Sequence, residues 1–342
     1  MTHSHNILFI NNKQVAELGG ADIRQVIEDV KSLLQLHVEK KVNSPAKAVL
    51  KWGTTVEDEN SFGRCNAMPC YAAGDINMAG IKWLGSNPRN YKYGLPRASG
   101  LMILNDPDTK LPLCIADCTA VSVVRTGAAS ALAIDVLASD NVKAISIIGA
   151  GAQARTQLEG ALVVRPGIRK CYVNDLHMAQ AEAYAEEMSG RFGIEVVATA
   201  TAEMKSAIAA SEILITATIA STPVVPAEWV HPGLFCINLS DFEYEYAVIP
   251  RCDKVVVDDW AGVKHRQIST VSLMYRDGKF KDTDLYAELG EILLGHKPGR
   301  EKESEITYFD SVGLGAEDLA VITRCYRRAV VEKKGTLIPY WE

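Results

Sequence analysis

Ala144-Ile-Ser-Ile-Ile148 runs without a break into Gly149-Ala-Gly-Ala-Gln-Ala154. The first five residues are a short apolar run rich in β-branched side chains, which reads as a buried strand. Leu158, Ala161 and Leu162 then recur at helical spacing. A strand that turns directly into a helix through Gly149-x-Gly151-x-x-Ala154 has a physical use for each small residue. Gly149 permits the tight turn, Gly151 lets the backbone approach a pyrophosphate, and Ala154 lets the helix pack on the strand. Free N–H groups at the helix start then hold the phosphates.

Outward from this turn the pattern repeats. Lys170-Cys-Tyr-Val-Asn-Asp175 reads as a second strand that ends in an acid, followed by an alanine-rich helix from Met178 to about Arg191. Further strands are predicted at Glu195–Ala198, Glu212–Thr216, Leu234–Leu239 and Lys254–Val257, with a helix over 202–210. Strands alternating with helices at this spacing require crossover connections and a parallel sheet. The carboxylate of Asp175 can accept from both ribose hydroxyls of a dinucleotide and repels a 2′-phosphate. With no Arg among the next several residues, NAD(H) is expected over NADP(H).

The first 120 residues carry a different pattern. Short alternating runs at Ala48–Trp52, Gly80–Leu84 and Gly100–Leu104 lie between turn signals such as Asn105-Asp-Pro-Asp108, which predicts an antiparallel sheet or barrel-like lobe. An Ala- and Leu-rich helix over Val121–Leu137 leads into the parallel sheet. No Pro/Ser/Gly-rich linker separates the lobes, and the charged run Arg300–Glu305 reads as a solvated loop.

Composition excludes several classes. The 342 residues suffice for two domains, and 48% hydrophobic with 23% charged residues is ordinary for a folded globular chain. Lys+Arg 36 against Asp+Glu 42, a net charge of −6, leaves no electrostatic footprint for nucleic acid or an anionic membrane. Met1–Asn6 holds no Lys or Arg, and the most apolar stretches, near Ala144–Ala150 and Ile213–Ala220, are too short to span a bilayer. A cytoplasmic protein is expected. Eight cysteines at 65, 70, 114, 118, 171, 236, 252 and 325 form no C-x-x-C pair, so reduced buried thiols are expected, with no metal.

Together with Val124-Arg125-Thr-Gly-Ala-Ala-Ser130, Gly94-Leu-Pro96, Ile215-Thr-Ala-Thr218 and Phe309-Asp-Ser-Val-Gly-Leu-Gly-Ala-Glu-Asp318, the glycine-rich turn resembles the ornithine cyclodeaminase/mu-crystallin family over nearly the whole chain. Arg97-Ala-Ser-Gly-x-x-Ile-Leu-Asn-Asp106, Asp253–Trp260 and Ala287-Glu-Leu-Gly through Pro298-Gly-Arg-Glu301 are most similar to its N-(2-amino-2-carboxyethyl)-L-glutamate dehydrogenase branch, whose members make the siderophore precursor 2,3-diaminopropionate. The resemblance implies an α/β protein in two domains. Residues 1–123 with 317–342 would bind substrate and form a homodimer, and 124–316 would be a Rossmann-type NAD domain.

It also implies site residues. Substrate carboxylates fall to Lys47, Lys82 and Arg125. Cofactor contacts fall to Ala152, Gln153, Asp175, Thr216 and Ser311, with Ala217, Thr218 and Asn238 in the same motifs. The family's catalytic Asp follows the Ile-Asn strand end by five residues, and counting from Asn238 reaches Glu243, with Asp241 two residues before it.

The chemistry that would use these groups is oxidation of an amino acid at Cα. It needs a hydride acceptor, cations that hold the carboxylate in line, and a carboxylate to handle the proton and the attacking water. Glu243 or Asp241 would serve there, since partial burial raises an acid from its ordinary value of about 4 toward neutrality. Lys82, between Ile81 and Trp83, is an unusual charge in an apolar strand. Arg97 either pairs with Asp106 or Asp108 or adds a fourth cation for a substrate with several carboxylates. Four cations suit a glutamate conjugate with three carboxylates better than ornithine or lysine. The alternatives are a cyclodeaminase, a ketimine reductase, a simple amino-acid dehydrogenase, or a non-catalytic NAD(P)H-binding protein.

Overall fold

The computed structural model describes residues 4–53, 63–239 and 241–341. The chain divides into two units, Met1–Arg125 with Leu314–Glu342, and Thr126–Gly313.

The first unit opens with β1 (His5–Ile10), β2 (Val42–Asn43), β3 (Ala48–Leu50), β4 (Arg64–Ala72), β5 (Met78–Ser86), β6 (Ala98–Asn105) and β7 (Pro112–Asp117). β4 to β7 form an antiparallel meander, β2 and β3 pair with β4, and β1 lies parallel to β7. Alternation sets the two faces: Gly100, Met102 and Leu104 point inward while Leu101 stays out. The inner face is covered by the helix Gly315–Glu332. That helix in turn packs on the helix Ile23–Val38, which presents Ile23, Val26, Ile27, Val30, Leu33 and Leu34 at i, i+3, i+4 spacing. Gly80 lies under the covering helix: a Cβ there would lie 2.4 Å from the Ile103 carbonyl oxygen and 2.9 Å from Leu319.

The second unit is a fully parallel sheet of β8 (Ala144–Ile148), β9 (Lys170–Asn174), β10 (Glu195–Ala198), β11 (Ile213–Thr216), β12 (Phe235–Asn238), β13 (Lys254–Val257), β14 (Ala287–Glu288) and β15 (Thr307–Asp310). Its order is β10-β9-β8-β11-β12-β15-β13-β14. The winding reverses direction beside β8, so a crevice opens at the carboxyl ends of β8 and β11, where such sheets bind ligands. β14 and β15 were not among the predicted strands. β15 is four residues long, begins with Thr and ends with Asp, and carries no run that the sequence marks as apolar.

The chain then returns to the first unit as the helix Gly315–Glu332 and β16 (Thr336–Trp341), which pairs antiparallel with β1. All six residues of this edge strand are exposed. The architecture is therefore α/β, a parallel sheet with an added mixed, mainly antiparallel one.

Two expectations change. The helix Thr119–Leu137 is long and apolar enough to cross a membrane, a stretch the sequence reading passed over, but two thirds of its apolar window is buried inside the protein. The run Arg300–Glu305 is not simply solvated. Arg300 donates to the carbonyls of Leu137 (2.7 Å) and Glu305 (2.7 Å), and Glu305 is buried beside Lys254. Desolvation holds the Arg300 guanidinium below its ordinary pKa. The eight cysteines are free thiols, six of them buried.

Candidate active site

Gly149 sits at φ +102°, and a Cβ there would lie 2.6 Å from the Ala217 carbonyl oxygen. Glycine is thus required twice, by the backbone conformation and by contact with the segment after β11. Gly151 is the N-cap of the helix Ala152–Val164, and a Cβ there would meet nothing within 4 Å. Space therefore exists for a ligand against that helix start. Ala154 is fully buried, and its carbonyl accepts the Tyr184 hydroxyl (3.0 Å). Gln153 Oε1 is buried with no hydrogen-bond partner among the described residues, an acceptor awaiting a donor.

Asp175 follows β9 directly. Its Oδ2 accepts the Ala150 amide (2.9 Å) and its Oδ1 the His177 amide (3.0 Å). The carboxylate is thereby clamped at the edge of the glycine turn, and the lone pairs that remain suit the vicinal hydroxyls of a ribose. Taken together, the open helix start, the orphaned Gln153 oxygen and the clamped acid fit a dinucleotide.

The ends of β11 and β12 hold the next group. Glu243 is fully buried and takes three bonds, from Thr216 Oγ1 (2.8 Å), the Thr218 amide (2.7 Å) and Thr218 Oγ1 (2.6 Å). Burial pushes its carboxyl up to about 7, against the pull of those donors. Asn238 donates to Tyr308 Oη (2.9 Å) and to the Asp241 carbonyl (3.2 Å), so it shapes the turn that carries both acids. Asp241 itself is half-buried.

Two acids in this unit were not singled out from the sequence. Asp258, just after β13, accepts Ser311 Oγ (2.8 Å) and the amides of Val312 (3.0 Å) and Gly313 (2.7 Å). It thus anchors the loop that holds Ser311, although burial still raises its pKa. Asp310 closes β15 fully buried, and burial pushes it to about 7 against the pull of the Ser269 hydroxyl and the Arg266 charge. An acid ending a short buried strand was the available signal for both.

The first unit gathers two of the four cations. Lys82 is fully buried, donating to Asp318 Oδ1 (2.8 Å) and Ser122 Oγ (2.8 Å). Arg125 pairs with Glu317 Oε2 (2.7 Å) and with Asp318 Oδ2 (3.3 Å). Two cations therefore meet two buried acids from the first turn of the helix Gly315–Glu332. The charge count made from the sequence omitted those acids, although both stand in the quoted Phe309–Asp318 motif. Lys47 is half-buried between β2 and β3, and Arg97 is exposed ahead of β6. Asp106 uses its Oδ1 on Thr109 and Asp108 within its own turn.

Residues 21–333 match the model of the ornithine cyclodeaminase/mu-crystallin family. The chain is 31% identical over 337 residues to N-((2S)-2-amino-2-carboxyethyl)-L-glutamate dehydrogenase of Staphylococcus aureus, covering 98% of this chain and 99% of the relative. Among solved structures it is similar to Δ1-pyrroline-2-carboxylate reductase of Thermococcus litoralis in complex with NADH and L-proline, with TM-score 0.88, 33% identity, and 97% and 100% of the two chains covered. An archaeal alanine dehydrogenase dimer with bound NAD matches with TM-score 0.88 and 30% identity over 98% of this chain and 100% of that one. The chain belongs to the ornithine cyclodeaminase/mu-crystallin family.

Proposed function

We propose that this member of the ornithine cyclodeaminase/mu-crystallin family is an NAD(H)-dependent oxidoreductase acting on the C–N bond of an amino acid. Its substrate in this reading is an N-substituted glutamate such as N-(2-amino-2-carboxyethyl)-L-glutamate, cleaved to 2-oxoglutarate and 2,3-diaminopropionate. The observation that carries the reading is the glycine turn at Gly149–Ala154 with Asp175 clamped beside it, in a chain similar from end to end to a dehydrogenase of that conjugate.

When bound, NAD supplies the hydride acceptor. Gly149, Gly151 and the amides of Ala152 and Gln153 would hold its pyrophosphate, Asp175 its ribose, and Thr216, Ala217, Thr218, Asn238 and Ser311 its far end. Lys82 and Arg125 would hold the α-carboxylate and so align the Cα–H bond. Loss of hydride from Cα and a proton from nitrogen leaves an imine. Water adds to it, and the C–N bond breaks with a proton delivered to the departing amine. One carboxylate of the segment 241–243 would move those protons.

Asp318 and Glu317 balance the charge of Lys82 and Arg125, and in this reading Lys47 and Arg97 would recognise the further carboxylates of the conjugate. The same balance favours a second reading, an alanine-type dehydrogenase with a single carboxylate to hold. Wild-type protein with NAD is to be assayed on the glutamate conjugate, alanine, proline and ornithine, with nicotinamide reduction followed and products weighed by mass spectrometry. The conjugate is expected to be preferred. Arg97→Ala should weaken it by about 1.5–3 kcal/mol while alanine changes little. Preference for alanine would establish the second reading, and ornithine turnover with ammonia release would restore a cyclodeaminase.

The proposal extends to a homodimer through the first unit. Trp83 and Leu101 are cross-strand neighbours on its outer face, both about 40% exposed (42% and 40%), and β16 offers an open apolar edge. Light scattering should give twice the chain mass, and a monomer would remove this extension.

A further inference from the structure

The acid five residues after Asn238 is the one a resemblance would make the proton carrier, yet its surroundings suit another task. Glu243 is tied down by backbone and side chain alike. Its carbonyl accepts the amides of Val224 (2.8 Å) and Val225 (3.0 Å), its amide donates to the Asp241 carbonyl (3.0 Å), and Tyr244 beside it bridges to Val225. Its carboxylate spans the end of β11 and the segment after it: one oxygen meets Thr216, the other meets both donors of Thr218. Between them stands Ala217, whose carbonyl oxygen is the atom that excludes a side chain at Gly149. A fully buried carboxylate with three protein donors has little capacity left for substrate or water.

We propose that Glu243 is a positioning residue, a strut that holds the Thr216–Thr218 turn against the glycine-rich loop and so shapes the cofactor site, and that proton exchange with substrate belongs to Asp241. Asp241 is the other carboxylate of the loop after β12, and it is half-buried where Glu243 is fully enclosed. Thr218 extends the brace, since its hydroxyl also accepts the Ala220 amide (3.0 Å). The inference rests on the NAD-dependent reading above and divides the labour within it.

Glutamine at 243 separates the two roles. It keeps one oxygen for the Thr218 amide, and its amide nitrogen can donate to Thr216 Oγ1, whose own hydrogen turns to the Ile237 carbonyl 3.2 Å away. A strut therefore survives Glu243→Gln, whereas a proton carrier does not. Expected results are NADH affinity within about threefold and kcat within about fivefold of wild type for Glu243→Gln. Asp241→Asn should bind NADH normally and lose at least about a hundredfold in kcat. Thr218→Val, which deletes one donor, should weaken NADH several-fold with kcat retained at saturating NADH; it also serves if Glu243→Gln does not fold. Loss of turnover in Glu243→Gln with NADH affinity intact, full activity in Asp241→Asn, or unchanged NADH affinity in Thr218→Val would each overturn the assignment. Failure of the underlying reading looks different: the wild-type chain would then bind no NADH in the same titration.

Discussion

Both units bury ionisable groups, and the clusters near their candidate site residues differ, although the second unit also encloses the Lys254–Glu305 pair. In the first, Lys82 and Arg125 are enclosed with Asp318 and Glu317, and positive and negative charges stand in equal number. In the second, Glu243 and Asp258 are enclosed among hydroxyl and amide donors, and Asp310 is fully buried near the Ser269 hydroxyl and the Arg266 charge. The physical consequence differs. A matched pair keeps its charges because each partner replaces the other's water. Desolvation disfavours a carboxylate's charge, and burial carries Glu243 and Asp310 to about 7, at Asp310 against the opposing pull of Ser269 and Arg266. The first arrangement suits holding a fixed charge, and the second suits groups whose protonation can change near neutrality.

Breaking the paired cluster should have the largest effect. Asp318→Ala leaves Lys82 buried with only Ser122, and removing one partner of a buried pair typically costs about 3–5 kcal/mol. Denaturant unfolding should show that loss, and a change under about 1 kcal/mol would mean that Lys82 reaches water. Asp310→Asn should do the reverse at pH 8, stabilising by about 1 kcal/mol because a buried group no longer has to give up its proton. If the variant is instead destabilised at pH 8, the pull of Arg266 outweighs the burial of Asp310 and the contrast between the units fails.

Titration of the wild type should show a similar or smaller effect. Acids whose folded pKa is raised bind more protons in the folded than in the unfolded state between about 4 and 7, so their contribution to stability is full below the ordinary carboxylate range and lost as pH rises through 7. Lowering the pH from 8 to 6 should raise the unfolding free energy by about 1–2 kcal/mol, and Asp310→Asn should flatten that slope. A slope unchanged in the variant would assign it to other groups. Acids held below their ordinary range, such as Asp106 and Glu187, do not titrate in this window.

Much of the second unit was legible because strands buried on both faces of a parallel sheet are unbroken apolar runs. Ala144–Ile148, Glu195–Ala198 and Lys254–Val257 fall where the spacing predicts. β15 was hidden by its polar ends, and β16 by lying on an exposed edge where burial imposes no pattern. The site divides likewise. Gly149, Gly151 and Asp175 act through local backbone geometry, which a short stretch of sequence encodes. The partners of Lys82 and Arg125 lie 236 and 192 residues away, and no spacing rule connects them. Glu243 was reachable by counting from Asn238. Its enclosure was not, since that depends on Thr216 and Thr218 of another strand end.

The pairing of β16 with β1 bears on how the polypeptide is made. The parallel sheet lies wholly between the two segments of the other unit, so its residues leave the ribosome while that unit still lacks a covering helix and an edge strand. Residues 126–313 can reach their final form during synthesis, as domains generally do. The meander from β4 to β7, with its inner face bare, must wait for the helix Gly315–Glu332. Over that interval Met68, Met102 and Leu104 are open to chaperones, and an arrested nascent chain released before residue 315 would be a client for them rather than half of a finished protein.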